Sequence, residues 1–304
     1  MRRFVILAAL FCAVGLALAA CGGSGGGSSP STTPGTSSGD KMTFTPIPGN
    51  SELVVGKNRV AIAVVDSKND KLLGDPGNSV QLQFKDANGD LIGSPENATF
   101  IEAIADTSGF WVLNHTFETA GNENAVITMT RGDQTTSVDV TFVITQTGNA
   151  PMIGAAAPPT DNPTLASEPN KKKLTTDPEP NDAFYQMTVT QALDANKPFV
   201  VVFGTPAFCQ TALCGPMLDN VKGVQPEFAG RVNFIHVEPY VLDENGSLVT
   251  AADGGPQPTQ PTTDWNLQTE PWLFVVGADG KVTDRFEGSA SPDELRQALQ
   301  ADLG

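Results

Sequence analysis

Sulfur and imidazole are scarce in this chain. Its 304 residues include four cysteines (Cys12, Cys21, Cys209 and Cys214) and two histidines, His115 and His236. A histidine-rich metal site is therefore excluded. Basic residues are also few: 18 lysines and arginines stand against 34 acidic residues, a formal charge of −16. Binding nucleic acid or docking electrostatically on anionic lipid requires clusters of Lys and Arg, so this balance argues against both. The acidic surface reads instead as a solvated, solubilising one. No cofactor is expected.

The apolar run from Phe4 to Ala20 follows Met1-Arg2-Arg3 and ends at Cys21. A basic start and a compact apolar stretch make a secretory leader, too short and wrongly flanked for a stable span. Leu18-Ala19-Ala20-Cys21 resembles the lipobox of bacterial lipoproteins, in which the cysteine becomes the lipidated first residue of the mature chain. That resemblance implies a leader over 1–20, a lipid on Cys21 and a place on the extracytoplasmic face of a cell membrane. Residues 21–41, rich in Gly and Ser, are a flexible tether with a reach of roughly 25 Å. Cys12 leaves with the leader, so Cys209 and Cys214 carry what thiol chemistry remains.

From 42 to 146 apolar and polar residues alternate, as in Val60/Ile62/Val64, Val80/Leu82/Phe84 and Val138/Val140/Phe142/Ile144. Turn signals recur at Asp75-Pro76-Gly77-Asn78, Asn88-Gly89, Ser108-Gly109, Gly121-Asn122 and Arg131-Gly132-Asp133. Seven or eight short strands at this spacing predict an all-β antiparallel sandwich that resembles immunoglobulin-like modules. His115 shares a strand face with Trp111, Leu113 and Phe117 and reads as a sheet residue rather than a ligand. Residues 147–181 hold seven prolines from Pro151 to Pro180 with little apolar pattern, which predicts an extended connector. Lys171-Lys172-Lys173 within it reads as a solvated charge run.

From 182 to 304 the pattern becomes α/β. A short helix is expected over 188–196, then a continuously apolar strand ending Phe199-Val200-Val201-Val202-Phe203, as in a sheet covered on both faces. A helix from Cys214 to Phe228, a strand Val232–Val237 and a hairpin about Asp279-Gly280 follow. Ser291, Pro292 and Glu294 form a capping box for a last helix with Leu295, Leu299 and Leu303 on its buried stripe.

This order of elements, with the Cys209/Cys214 pair, Gly215-Pro216 and Glu270-Pro271-Trp272, resembles the thioredoxin-like superfamily over residues 182–304. The resemblance implies thiol–disulfide exchange with Cys209 attacking and Cys214 resolving. It also implies a cis Pro271 facing the pair, Glu270 pairing its backbone with an extended substrate, and Phe208 and Trp272 beside the substrate. The expected partners are exported protein thiols or disulfides, or a redox partner.

Four residues separate the cysteines, two more than in thioredoxins. On one continuous helix they would point about 140° apart. Pro216 resolves this, since proline is comfortable only in a helix's first turn, so 210–213 form a loop and Cys214 enters the helix. Helix-end electrostatics alone favours a thiolate at Cys214. No acid interrupts the strand Phe199–Phe203, and Pro239–Thr263 is a long insertion able to cover the site. Two other readings stay open. The pair is a structural disulfide in a binding or scaffold lipoprotein, although so short a loop adds only about 2 kcal/mol. Alternatively, Cys209, Cys214 and His236 handle copper.

Overall fold

The computed structural model describes residues 42–104 and 108–303; the expected leader, Cys21 and the whole tether lie outside them. Alternating side chains in the first part produce β1 (Phe44–Pro48), β2 (Leu53–Val54), β3 (Gly56–Asp66), β4 (Ser79–Phe84), β5 (Glu96–Ile104), β6 (Ser108–Phe117), β7 (Gly121–Arg131) and β8 (Gln134–Thr145). Their order is β1-β3-β6-β5-β4-β7-β8-β2 in one continuous sheet, antiparallel except where β2 runs parallel to β8. The sequence expectation is met at that coarser level, a sheet-rich unit. Val60, Ile62, Val64, Leu82, Trp111, Ile127 and Met129 point inward and are fully buried. At the β7–β8 turn Gly132 takes a φ of 56°, the left-handed value a tight hairpin requires. His115 stacks on Phe84 with ring centroids 3.9 Å apart.

The second part holds a four-stranded sheet of order β10-β9-β11-β12. Its strands are β9 (Phe199–Phe203), β10 (Asn233–Val237), β11 (Trp272–Val276) and β12 (Val282–Glu287). β10 runs parallel to β9, whereas β11 is antiparallel to both β9 and β12. Every residue of β9 is buried because both faces are covered. Val200, Val202, Leu273 and Val275 pack on one face against α3 (Cys214–Val224) and α5 (Pro292–Leu303). Phe199, Val201, Phe203 and Phe274 pack on the other against α2 (Val189–Asp194) and Trp265, which follows α4 (Gln260–Asp264). The predicted capping box is formed: Ser291 N–H donates to Glu294 Oε2 at 2.9 Å and Glu294 N–H to Ser291 Oγ at 3.2 Å. Thr188 and Gln191 make a second one at the start of α2.

Residues 147–181 do not behave as the expected connector. Gly154 and Ala157 N–H groups donate to the carbonyls of Val282 and Gly280, so the chain runs along the β12 hairpin. Asn162 Oδ1 accepts the Val189 amide, and Thr160 Oγ1 accepts the Trp265 indole N–H. Lys171–Leu174 forms a short helix, α1, that drops Leu174 into the core beside Phe184 and Phe234. Its lysines are not merely solvated, since Lys173 pairs with Glu168 and Glu244 and Lys171 with Asp182. The prolines prescribe extended backbone, and extended backbone is what packing along an edge needs. The β-rich and α/β parts accordingly belong to one compact unit.

Leu174→Ala tests this packing. Burial in the core predicts a loss of about 2–5 kcal/mol in urea unfolding, whereas a solvated connector predicts a change within about 0.5 kcal/mol.

Candidate active site

β9 ends at Phe203 and the chain turns through Gly204 and Thr205 into the loop that carries Cys209. The loop bends back at Ala212, with a φ of 59°, and delivers Cys214 as the first residue of α3. Pro216 sits in the first turn, as its missing N–H demands. Cys209 and Cys214 are joined as a disulfide with Cα atoms 5.9 Å apart. Cys214 is fully buried, and Cys209 is partly exposed beside Phe208, 36% exposed. The Cys214 backbone N–H donates to Cys209 Sγ at 3.2 Å. The first amide of α3 is thus directed at the Cys209 sulfur rather than at that of Cys214.

The Glu270–Pro271 bond is cis. A methyl group added at Gly204 would stand 3.5 Å from Cys214 Cβ and 3.8 Å from Pro271 Cβ, so this glycine lies between the cysteine and the proline. A methyl group there would make ordinary van der Waals contact with both. The Glu270 carboxylate accepts a hydrogen bond from Tyr240 Oη at 2.8 Å. Tyr240 belongs to the insertion, which folds into paired segments (Tyr240 with Pro258, Leu242 with Leu248) and touches the rim of the site without closing over Cys209. Trp272 is not available to a substrate. It is 3% exposed, stacks on Phe274 and spends its indole N–H on Thr269 Oγ1.

His236 does not join the cysteines in a ligand set. Its Nε2 meets the Gly204 carbonyl at 2.9 Å and its Nδ1 meets Tyr185 Oη at 2.8 Å. Both ring nitrogens are engaged, and burial lowers the imidazole to about 4, so the ring is neutral at physiological pH. Among the described residues no group of three or more His, Cys, Asp or Glu side chains is arranged to hold a metal ion.

Glu238 is not among the site residues expected from the sequence. Glu238 follows β10, is 4% exposed, and its Oε1 has no hydrogen-bond partner. Burial pushes its carboxyl up to about 7, against the Thr205 hydroxyl and the Thr176 hydrogen bonds, which pull it down. Thr176 N–H and Oγ1 reach Glu238 Oε2 at 2.8 and 3.0 Å, and the same Oγ1 accepts the Ala207 amide at 3.2 Å. A buried acid is thereby tied to the loop two residues before Cys209. The alternation Phe234, His236, Glu238 was the available signal, since it sets a carboxylate on an otherwise buried strand face.

No protein-family model matches the chain, and no curated protein does. Among solved structures it is similar to a thiol:disulfide interchange protein, a thioredoxin family protein from Chlorobium tepidum TLS, with 16% identity and a TM-score of 0.32 over 51% of this chain and all of that one. It is also similar to the PKD domain of the human VPS10 domain-containing receptor SorCS2, with 10% identity and a TM-score of 0.22 over 36% of this chain and 76% of that one. A beta-glucuronidase from Parabacteroides merdae is matched at 8% identity and a TM-score of 0.22, over 52% of this chain and 18% of that one. At these scores the likenesses add no weight to any activity.

The two buried titrating groups oppose each other. Glu238, raised by burial, stabilises the fold below pH 4.5, and that contribution is lost as pH rises to about 7. His236, lowered by burial, stabilises it above pH 6.5, and that contribution is lost as pH falls to about 4. Glu238→Gln removes the first effect alone. Relative to the parent chain, the variant should gain on the order of 3 kcal/mol in urea unfolding between pH 4.5 and 7.5. A difference independent of pH would contradict the assignment.

Proposed function

We propose that this chain is a membrane-anchored, extracytoplasmic thiol–disulfide oxidoreductase that reduces or isomerises disulfides of exported proteins through Cys209 and Cys214. In this reading Cys21 carries the lipid anchor, residues 21–41 are the tether, and 42–146 form an immunoglobulin-like sandwich ahead of a thioredoxin-like part. One observation supports it above all: a partly exposed sulfur receives the first free amide of a helix beside a buried partner sulfur, across Gly204 from Pro271. An inert staple needs neither the exposure nor the amide.

The exchange balances as follows. In the reduced chain the Cys209 thiolate attacks one sulfur of a substrate disulfide, and the other sulfur leaves as a thiolate and takes up a proton. Cys214 then loses its proton and attacks the Cys209 sulfur, which releases the second substrate thiol. Two electrons pass from the protein to the substrate, the Cys209–Cys214 bond forms, and an external dithiol donor restores the reduced pair. Pro271 borders the space where the mixed disulfide forms, and Glu270 offers backbone to an extended chain. Removing the resolving thiol leaves that intermediate trapped.

Cys214→Ser should accumulate a mixed disulfide through Cys209 with protein disulfides, visible on non-reducing gels and by mass spectrometry of the linked peptides. Cys209→Ser should trap far less, because its remaining sulfur is buried. Equal failure of both variants would remove the exchange reading and leave a scaffold with a structural bridge.

A further inference from the structure

The β-rich part grips one segment of the α/β part, and that segment borders the cysteine site. Arg59 of β3 donates from Nε to Glu294 Oε1 at 2.7 Å, and from Nη2 to the Ser289 carbonyl at 2.7 Å and to Glu294 Oε2 at 3.2 Å. Its side chain is 8% exposed and its guanidinium lies over the rings of Phe110 and Phe286, 5.5 and 5.6 Å from their centroids. Glu294 also holds the capping box of α5, so one carboxylate joins β3 to a helix start. Further along, Ser51 N–H donates to Glu287 Oε2 at 2.8 Å, and Arg285 pairs with Glu52 at 2.8 Å with both side chains 9% exposed. Of these, the planar, bidentate Arg59–Glu294 contact fixes orientation as well as distance.

The gripped residues reach the site directly. Gly288 N–H donates to the Pro271 carbonyl at 3.0 Å. A methyl group added at Gly288 would stand 3.6 Å from Leu213 Cδ1, in the loop between the cysteines. Glu287 Oε1 accepts from Thr269 Oγ1, which accepts the Trp272 indole N–H on the far side of Pro271. The turn carrying Pro271 is thus held on both flanks by residues that the β-rich part clamps. The contact between the Cys214 amide and the Cys209 sulfur has no member in the clamp.

We infer that the β-rich part is a built-in positioning element of the redox site, with Arg59 as the positioning residue that sets the Pro271 turn for an extended polypeptide. The inference rests on the exchange reading above. It separates two kinds of substrate. A polypeptide disulfide must lie along the Pro271 turn, whereas a small dithiol needs only the sulfurs.

The test compares the full chain with Arg59→Ala and Glu294→Gln. The second keeps a capping residue at N3 while removing the charge that Arg59 grips, so it reports even if the first fails to fold. The probes are a linear peptide carrying a glutathione mixed disulfide, and dithiothreitol alone. Both folded variants should raise KM for the peptide by about ten- to a hundredfold with kcat little changed. Their reduction potential and rate with dithiothreitol should match the parent chain, and Arg59→Lys should recover part of the loss. Unchanged peptide KM in a folded variant, or equal losses with both probes, would overturn the inference alone. A parent chain that exchanges with neither probe would overturn the redox reading, and this inference with it.

Discussion

A single hydrogen bond organises the site: the Cys214 amide donates to the Cys209 sulfur. It exists because Pro216 prevents the helix from starting any earlier, which leaves Cys214 N–H without a partner inside α3. The loop has to return that amide to Cys209, and it does so within four residues. Cys209 Sγ thereby lies at the amide end of α3, while Cys214 is buried beside Gly204. The contact joins a partly exposed sulfur to the residue that carries the buried one.

The surroundings keep that contact in place from three directions. β9, buried on both faces, fixes where the loop begins. Residues 147–181 supply Thr176, which ties the Ala207 amide to Glu238, and Thr175, which lies beside His236. The β-rich part clamps residues 285–294 behind Pro271. Glu238 and His236 are costly groups to bury, and their opposed titrations partly offset across mildly acidic pH. Both stand where β10 ends beside the Cys-bearing loop, so the charge cost is concentrated at the site rather than spread through the core.

Much of this was legible in the sequence, for local reasons. The apolar run at Phe199–Phe203 announces a doubly covered strand, Ser291 with Glu294 announces a helix start, and Pro216 dates the start of α3 to within a turn. The Cys pair and Pro271 follow from the resemblance those elements carry. What stayed hidden depends on tertiary contact. Proline-rich chain looks the same whether it is solvated or laid along a sheet edge, so the burial of Thr160, Asn162 and Leu174 left no periodic trace. The resemblance places Trp272 beside the substrate, yet the strand turns it inward onto Phe274. Helix position alone points to Cys214, and the loop that directs the Cys214 amide at the Cys209 sulfur is a tertiary feature with no periodic signature.

The midpoint reduction potential of the Cys209–Cys214 pair, measured against glutathione buffers, tests the central contact most directly. An amide-stabilised, solvent-reachable Cys209 sulfur predicts a value above about −300 mV. A value well below that would mark a bridge that holds the loop together and exchanges with nothing.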